Sequence, residues 1–280
     1  MQYFSVKSRL VLTLWLAALG AIALGQDKAS ANEKKSQSGS QERGISFVEK
    51  KKMPQASVFL PAPPEPSDPA FARDSILYVR GKAERGTARL DTALADVRTD
   101  VAYYMTRFSG AMHCKLSTQK YPALAELMAG TLNDVRASIA SAKAQFARPR
   151  PYVHFNEPTP DPVNEAYSPN ASYPSGHSVR AWALAILLTS IDPKHGEEIA
   201  RVGYDICHSR VVLGYHYQSD VEAGMLAASL GMARLMADSL YQQYLERART
   251  EFAEQKKISE LQKQKKAPGQ KKKKEKKKKM

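Results

Sequence analysis

From Pro69 to about Glu254 the chain repeats its apolar residues every three or four positions and shows no sustained two-residue alternation of the kind a half-buried strand needs. Leu124, Leu127, Met128, Thr131, Val135, Ile139 and Ala142 form one such row, which predicts an amphipathic helix over 122–146 with Pro122 near its start. Ser178 to Ser190 is apolar on nearly every side, as expected of a central helix enclosed by others. Helix starts are marked by Ser67 or Asp68 before Pro69, by Asp192 before Pro193, and by Ser219 or Asp220 ahead of a helix predicted to reach Glu254. Gly214 breaks the helix that runs through Ile199, Val202 and Ile206 to Arg210. With no internal repeat, these patterns predict an all-α fold in a single domain over 58–255.

The two ends read differently. Lys7 and Arg9 precede an apolar run from Leu10 to Leu24, followed by small residues, which is the order of a signal peptide over 1–25 with cleavage as late as residue 31. That run is shorter than the ~20 residues a bilayer span needs, so no stable membrane insertion is expected and a periplasmic or secreted protein is. Residues 26–57, rich in Ser, Gln, Lys and Glu, are expected to be a flexible spacer. The formal net charge of +14 suggests a nucleic-acid partner until it is divided along the chain. Residues 256–280 contribute +11 and residues 1–60 contribute +5, whereas 61–255 carries −2. The Lys-rich tail from Lys256 is therefore expected to be disordered, able to make polyanion contacts or simply to aid solubility. Cys114 and Cys207 form either one disulfide or two buried free thiols.

Three clusters carry chemistry. Lys143 and Arg150-Pro151 place a compact cation and a planar donor fork where a helix gives way to a proline-rich loop over 149–173. Pro174-Ser175-Gly176-His177 stands at the mouth of the apolar helix, where free amides, a close-approach glycine and a hydroxyl make an anion site. Ser209-Arg210 is followed by His216 and, four residues later, by Asp220, a spacing that suits an imidazole held by a carboxylate. Each cluster alone has an ordinary structural reading: a neutralised helix end, a capped helix, a buried His–Asp pair. Together they supply cations for phosphoryl oxygens, a nucleophile and an acid. No His, Asp and Glu spacing suggests a metal site, and His113, His154, His195 and His208 stand outside the clusters.

In order and spacing, Lys143-x6-Arg150-Pro151, Pro174-Ser175-Gly176-His177 and Ser209-Arg210-x5-His216-x3-Asp220 resemble the three-part signature of the type 2 phosphatidic-acid phosphatase (PAP2) and vanadium haloperoxidase superfamily. The Pro-rich start and helical body are most similar to its bacterial class A non-specific acid phosphatases, over about residues 60–245. The resemblance implies a compact helical bundle and metal-independent, cofactor-free hydrolysis of a broad range of phosphate monoesters. His216 would become a phosphohistidine, Asp220 would orient it, and His177 would serve as acid. Lys143, Arg150, Ser175, Gly176 and Arg210 would hold the phosphate. A homo-oligomer is expected, of unspecified order. A vanadium-dependent haloperoxidase built on the same residues is the alternative, and a secreted polyanion-binding protein that uses the tail is a second.

Overall fold

The computed structural model describes residues 45–162 and 169–278, and the signal peptide, with the spacer as far as residue 44, lies outside them. The main helices are α1 (Pro69–Ala83), α2 (Arg89–Ala95), α3 (Val101–Phe108), α4 (Pro122–Ala137), α5 (Ala140–Phe146), α6 (Gly176–Ile191), α7 (Gly196–Val212), α8 (Gln218–Met236) and α9 (Ser239–Lys278). No strand occurs among the described residues, as the helical periodicity predicts. No helix among them is long and apolar enough to cross a membrane.

The centre is α6, most of whose circumference is buried through Val179, Ala181, Ala183, Leu184, Ala185, Leu187 and Leu188. Helices α7 and α8 pack along it, and α4 closes a further side and is itself covered by α9. Two glycines set how closely the neighbours approach. A Cβ on Gly203 of α7 would stand 2.6 Å from Ala185 Cβ, and one on Gly224 of α8 would stand 2.7 Å from the Ser175 carbonyl. Such distances are far inside van der Waals contact, so only glycine permits this packing, in the middle of α6 at Gly203 and at its start at Gly224.

Several boundaries depart from the sequence pattern. The row predicted over 122–146 is split after Ala137, because the carbonyl of Ser138 is taken by the amide of Ala56 at 2.7 Å and the chain turns before α5. The helix expected to reach Glu254 stops at Met236, and Asp238 caps a new one by accepting the Leu240 amide at 3.1 Å. Asp192-Pro193 opens a short 3-10 turn, Pro193–His195, ahead of α7.

The folded part also begins earlier than Val58, correcting the limit set for the spacer. Phe47, Val48, Met53 and Ala56 are buried, the Phe47 and Val48 amides donate to Asp134 Oδ2 at 2.8 and 3.2 Å, and the Phe47 ring lies against Gly130. At the other end α9 spans Ser239–Lys278 and so takes in the Lys-rich segment from Lys256, and Tyr241, Leu245, Ala248 and Phe252 anchor its first turns. The cysteines are not bridged: Cys207 is a buried free thiol donating to the Ser178 carbonyl at 3.8 Å, and Cys114 is a partly buried one.

Candidate active site

Two local devices bring the third cluster together. Helix α7 ends at Val212, and Gly214, at φ +77°, reverses the chain so that the amides of Tyr215 and His216 both reach the Arg210 carbonyl, at 3.1 and 3.2 Å. Tyr217 then caps α8, and its amide donates to Oδ2 of Asp220, the third residue of that helix, at 2.9 Å. Arg210, His216 and Asp220 are thus joined by backbone geometry that their spacing encodes.

His216 is buried at 2% exposure. Arg150 Nη1 donates to its Nε2 at 3.0 Å, so Nε2 carries a lone pair and the ring proton belongs on Nδ1. Nδ1 faces Asp220 Oδ2 at 3.4 Å, longer than a hydrogen bond. Burial first, then the charges of Arg150, Lys143 and Arg210, lower the His216 pKa well below the usual imidazole range. These three cations therefore act on one ring.

The first cluster is delivered by the end of α5. Ala147 adopts the left-handed conformation, φ 41°, and turns the chain so that Arg150 donates to the Tyr215 carbonyl at 2.8 Å. Lys143 points the same way, with Nζ donating to the Ala171 carbonyl at 2.5 Å. Burial, and then the Arg150 charge, depress its pKa to about 7.

The second cluster opens α6. Ser175 caps it by accepting the Ser178 amide at 3.3 Å, while the Ser175 amide donates to the Asp220 carbonyl at 2.9 Å. A Cβ on Gly176 would lie 4.0 Å from Lys143 Cε, so the first and second clusters adjoin. His177 Nε2 donates to the Val97 carbonyl at 3.0 Å, and burial followed by the charges of Arg210 and Arg180 lowers its pKa.

Arg210 is 4% exposed, yet its Nε and Nη1 find no hydrogen-bond partner among the described residues. Burial, then the nearby Arg150 charge, lowers its pKa to about 10. A buried guanidinium with idle donors suits an anion.

Sequence reasoning missed the support beneath this cradle. Arg148 is buried and bridges two buried carboxylates, donating to Asp220 Oδ1 at 2.6 Å and Asp74 Oδ2 at 2.9 Å, with its plane 4.1 Å over the Tyr217 ring. Ser172 Oγ donates to Asp220 Oδ2 at 2.5 Å. Behind Arg210, Asp96 accepts from Ser209 Oγ, Tyr103 Oη and Arg107 Nε at 2.5, 2.6 and 3.1 Å, which pins the loop that carries Val97. The doublet Arg148-Pro149-Arg150 was visible, but which arginine meets carboxylates was not. Replacing Arg148 with Met should cost about 3–5 kcal/mol, because Asp74 and Asp220 would stay buried without their cation. A urea midpoint unchanged in that variant would contradict the assignment. His113, His195 and His208 pair with Glu198, Asp192 and Glu84 outside the cradle.

Residues 122–244 match the PAP2 superfamily. The chain is similar to a protein named non-specific acid phosphatase from Providencia stuartii, 34% identical across 71% of this chain and 81% of the relative. A protein of the same name from Salmonella typhimurium is 34% identical across 69% of this chain and 78% of its own length. One named acid phosphatase from Zymomonas mobilis is 30% identical, with coverage of 70% and 74%.

Proposed function

Because this chain belongs to the PAP2 superfamily, we propose that it is an acid phosphatase that transfers the phosphoryl group of a phosphate monoester to His216 and then to water. The observation that carries this reading is Arg210, a buried cation with two unpartnered donors beside an imidazole whose Nε2 lone pair is held by Arg150 alone. The relatives' shared name supports the substrate class.

In this scheme the phosphoryl oxygens take the N–H groups of Arg210 and Arg150, the Lys143 ammonium and the Gly176 amide. The exchange releases Arg150 Nη1 from His216 Nε2, which then attacks phosphorus in line with the leaving oxygen. Asp220 steadies the positive charge that forms on the ring. With Nε2 of His177 held by Val97, proton traffic at that ring falls to Nδ1, which protonates the leaving alcohol and then accepts a proton from the water that cleaves the phosphohistidine. The cations are side chains, so the scheme is metal-independent. A panel of phosphomonoesters should be hydrolysed undiminished in EDTA and inhibited by vanadate; loss of activity in EDTA would overturn this part. The apolar run Leu10 to Leu24 supports export, and the enzyme would meet its substrates outside the cytoplasm.

The electrostatics bear on pH. His216, its pKa depressed, stays neutral and nucleophilic in acid. Lys143, with its pKa near 7, is charged in acid and loses its proton as pH rises through that value. His177 is also depressed, and a bound phosphate dianion offsets the surrounding cations and favours its protonated form. Accordingly kcat/KM should be highest in acid and decline above about pH 7, and a profile flat from pH 5 to 9 would contradict this account.

A further inference from the structure

The Lys-rich end of α9 takes no part in the chemistry above. It lies outside residues 122–244, the part that matches the family, and among the described residues the last bond from α9 to the body is Lys120 Nζ to Ser259 Oγ at 3.3 Å. Beyond it, Lys263 to Lys278 hold ten Lys and one Glu, with Ala267 and Pro268 as the only apolar residues besides a glycine, and with no Arg or aromatic residue. Helix α9 runs through this segment to Lys278. At about 1.5 Å per residue the segment spans ~24 Å, so it carries one net positive charge per ~2.7 Å of helix axis. Lys272 and Lys276, Lys273 and Lys277, and Lys274 and Lys278 stand four apart, the spacing at which like charges on a helix repel. Residues 61–255, at −2, bring little to offset this charge. Counter-charge for the end of α9 has to come from outside the chain.

We infer that the end of α9 is a binding arm for nucleic acid, which it holds by the phosphodiester backbone without regard to base sequence. Duplex DNA carries one negative charge per ~1.7 Å of its axis, so the two rods are opposite in sign and close in charge density. Base edges are read by the planar fork of Arg or the amides of Asn and Gln, and bases stack on aromatic rings. Lysine supplies point charges that hold phosphates instead, and Gln264 and Gln270 are the only amide side chains between Lys263 and Lys278. An anionic bilayer is a poorer fit. A helix that lies in a membrane surface buries a face of Trp, Phe or Leu, and Ala267 with Pro268 makes no such face. Each contact exchanges a condensed counterion for a lysine, so affinity falls steeply with salt. The arm is independent of the phosphatase reading and adds to it a means of keeping the enzyme on a polymer.

The test compares the full-length chain with a full-length variant in which the seven lysines from Lys271 to Lys278 are replaced by Gln, a residue of comparable helix propensity. Circular dichroism checks that both are folded. Residues 1–60, also basic, are the same in both proteins, so any difference belongs to α9. Fluorescence anisotropy follows binding to two labelled duplexes of unrelated sequence that lack terminal phosphates, and co-sedimentation follows binding to phosphatidylglycerol vesicles at the same ionic strength. The wild type should bind both duplexes with Kd values within about threefold of each other. Its log Kd should rise against log salt concentration with a slope of about 5, as expected for some six phosphates neutralised. At low salt the variant should bind on the order of 100-fold more weakly, or worse. A variant that binds duplex as tightly as the wild type overturns the inference, and so does a salt slope below about 2. A preference above about tenfold for one duplex overturns it by showing base readout. Tighter binding to the vesicles than to either duplex overturns it in favour of a membrane surface.

Discussion

Replacing His216 with Ala is expected to reduce hydrolysis of p-nitrophenyl phosphate on the order of 10⁴-fold or more, leaving only what the cradle achieves by binding. The size of the effect follows from the ring's surroundings. It is buried, its Nε2 accepts from Arg150 at 3.0 Å, and its other nitrogen faces Asp220. The side chains whose charges act most on the ring, Arg150, Lys143 and Arg210, are cations in acid and hold a phosphate rather than attack it. The fold should tolerate the change, since Arg150 Nη1, released from the ring, keeps its bond to the Tyr215 carbonyl and the amide of residue 216 keeps its bond to the Arg210 carbonyl. A chemical signature separates this role from positioning. Wild-type enzyme stopped during turnover should carry phosphate on an imidazole, labile in acid and stable in base, and His216→Ala should carry none. A folded His216→Ala protein with near-wild-type turnover would overturn the assignment.

Arg210→Met should move stability and activity in opposite directions, the second large effect. In the unliganded protein the guanidinium is 4% exposed with Nε and Nη1 unpartnered, and each such group costs about 1–3 kcal/mol. Met is similar in length and brings no charge, so the variant should melt at or above the wild-type temperature without anion. Its kcat/KM should nevertheless fall about 10²–10³-fold, the loss expected when one charge-stabilising donor leaves a desolvated site. Phosphate or vanadate should discriminate further. At 100 times its Kd an anion stabilises the wild type by about 2.7 kcal/mol, and the variant at the same concentration should gain much less. An Arg210→Met protein destabilised without anion as strongly as Arg148→Met would make Arg210 a structural cation instead.

The contrast between these arginines shows where sequence reasoning reaches and where it stops. Arg210 and His216 were legible because a helix end, a left-handed glycine and a capped helix start join them within a few residues. Ser175, Gly176 and His177 were legible for the same reason, as the first turn of a helix whose apolar circumference marks it as central. Asp220 was legible as the partner of His216, but not as the carboxylate that Arg148, Ser172 and the Tyr217 amide all grip.

What the sequence determined by itself was the helical class, the order of the clusters and the local geometry inside each, because periodicity, caps and tight turns act over a turn or two of chain. Tertiary structure decided everything that depends on distant partners. It split the row over 122–146 at Ser138 by supplying the Ala56 amide, and it brought the packed part of the chain ahead of Val58 by burying Phe47 against Gly130. It kept the cysteines apart. It also joined Arg148 to Asp74, 74 residues away, and placed Arg180 beside Lys143. Such contacts join residues far apart in the chain, and no pattern that acts over a turn or two encodes them.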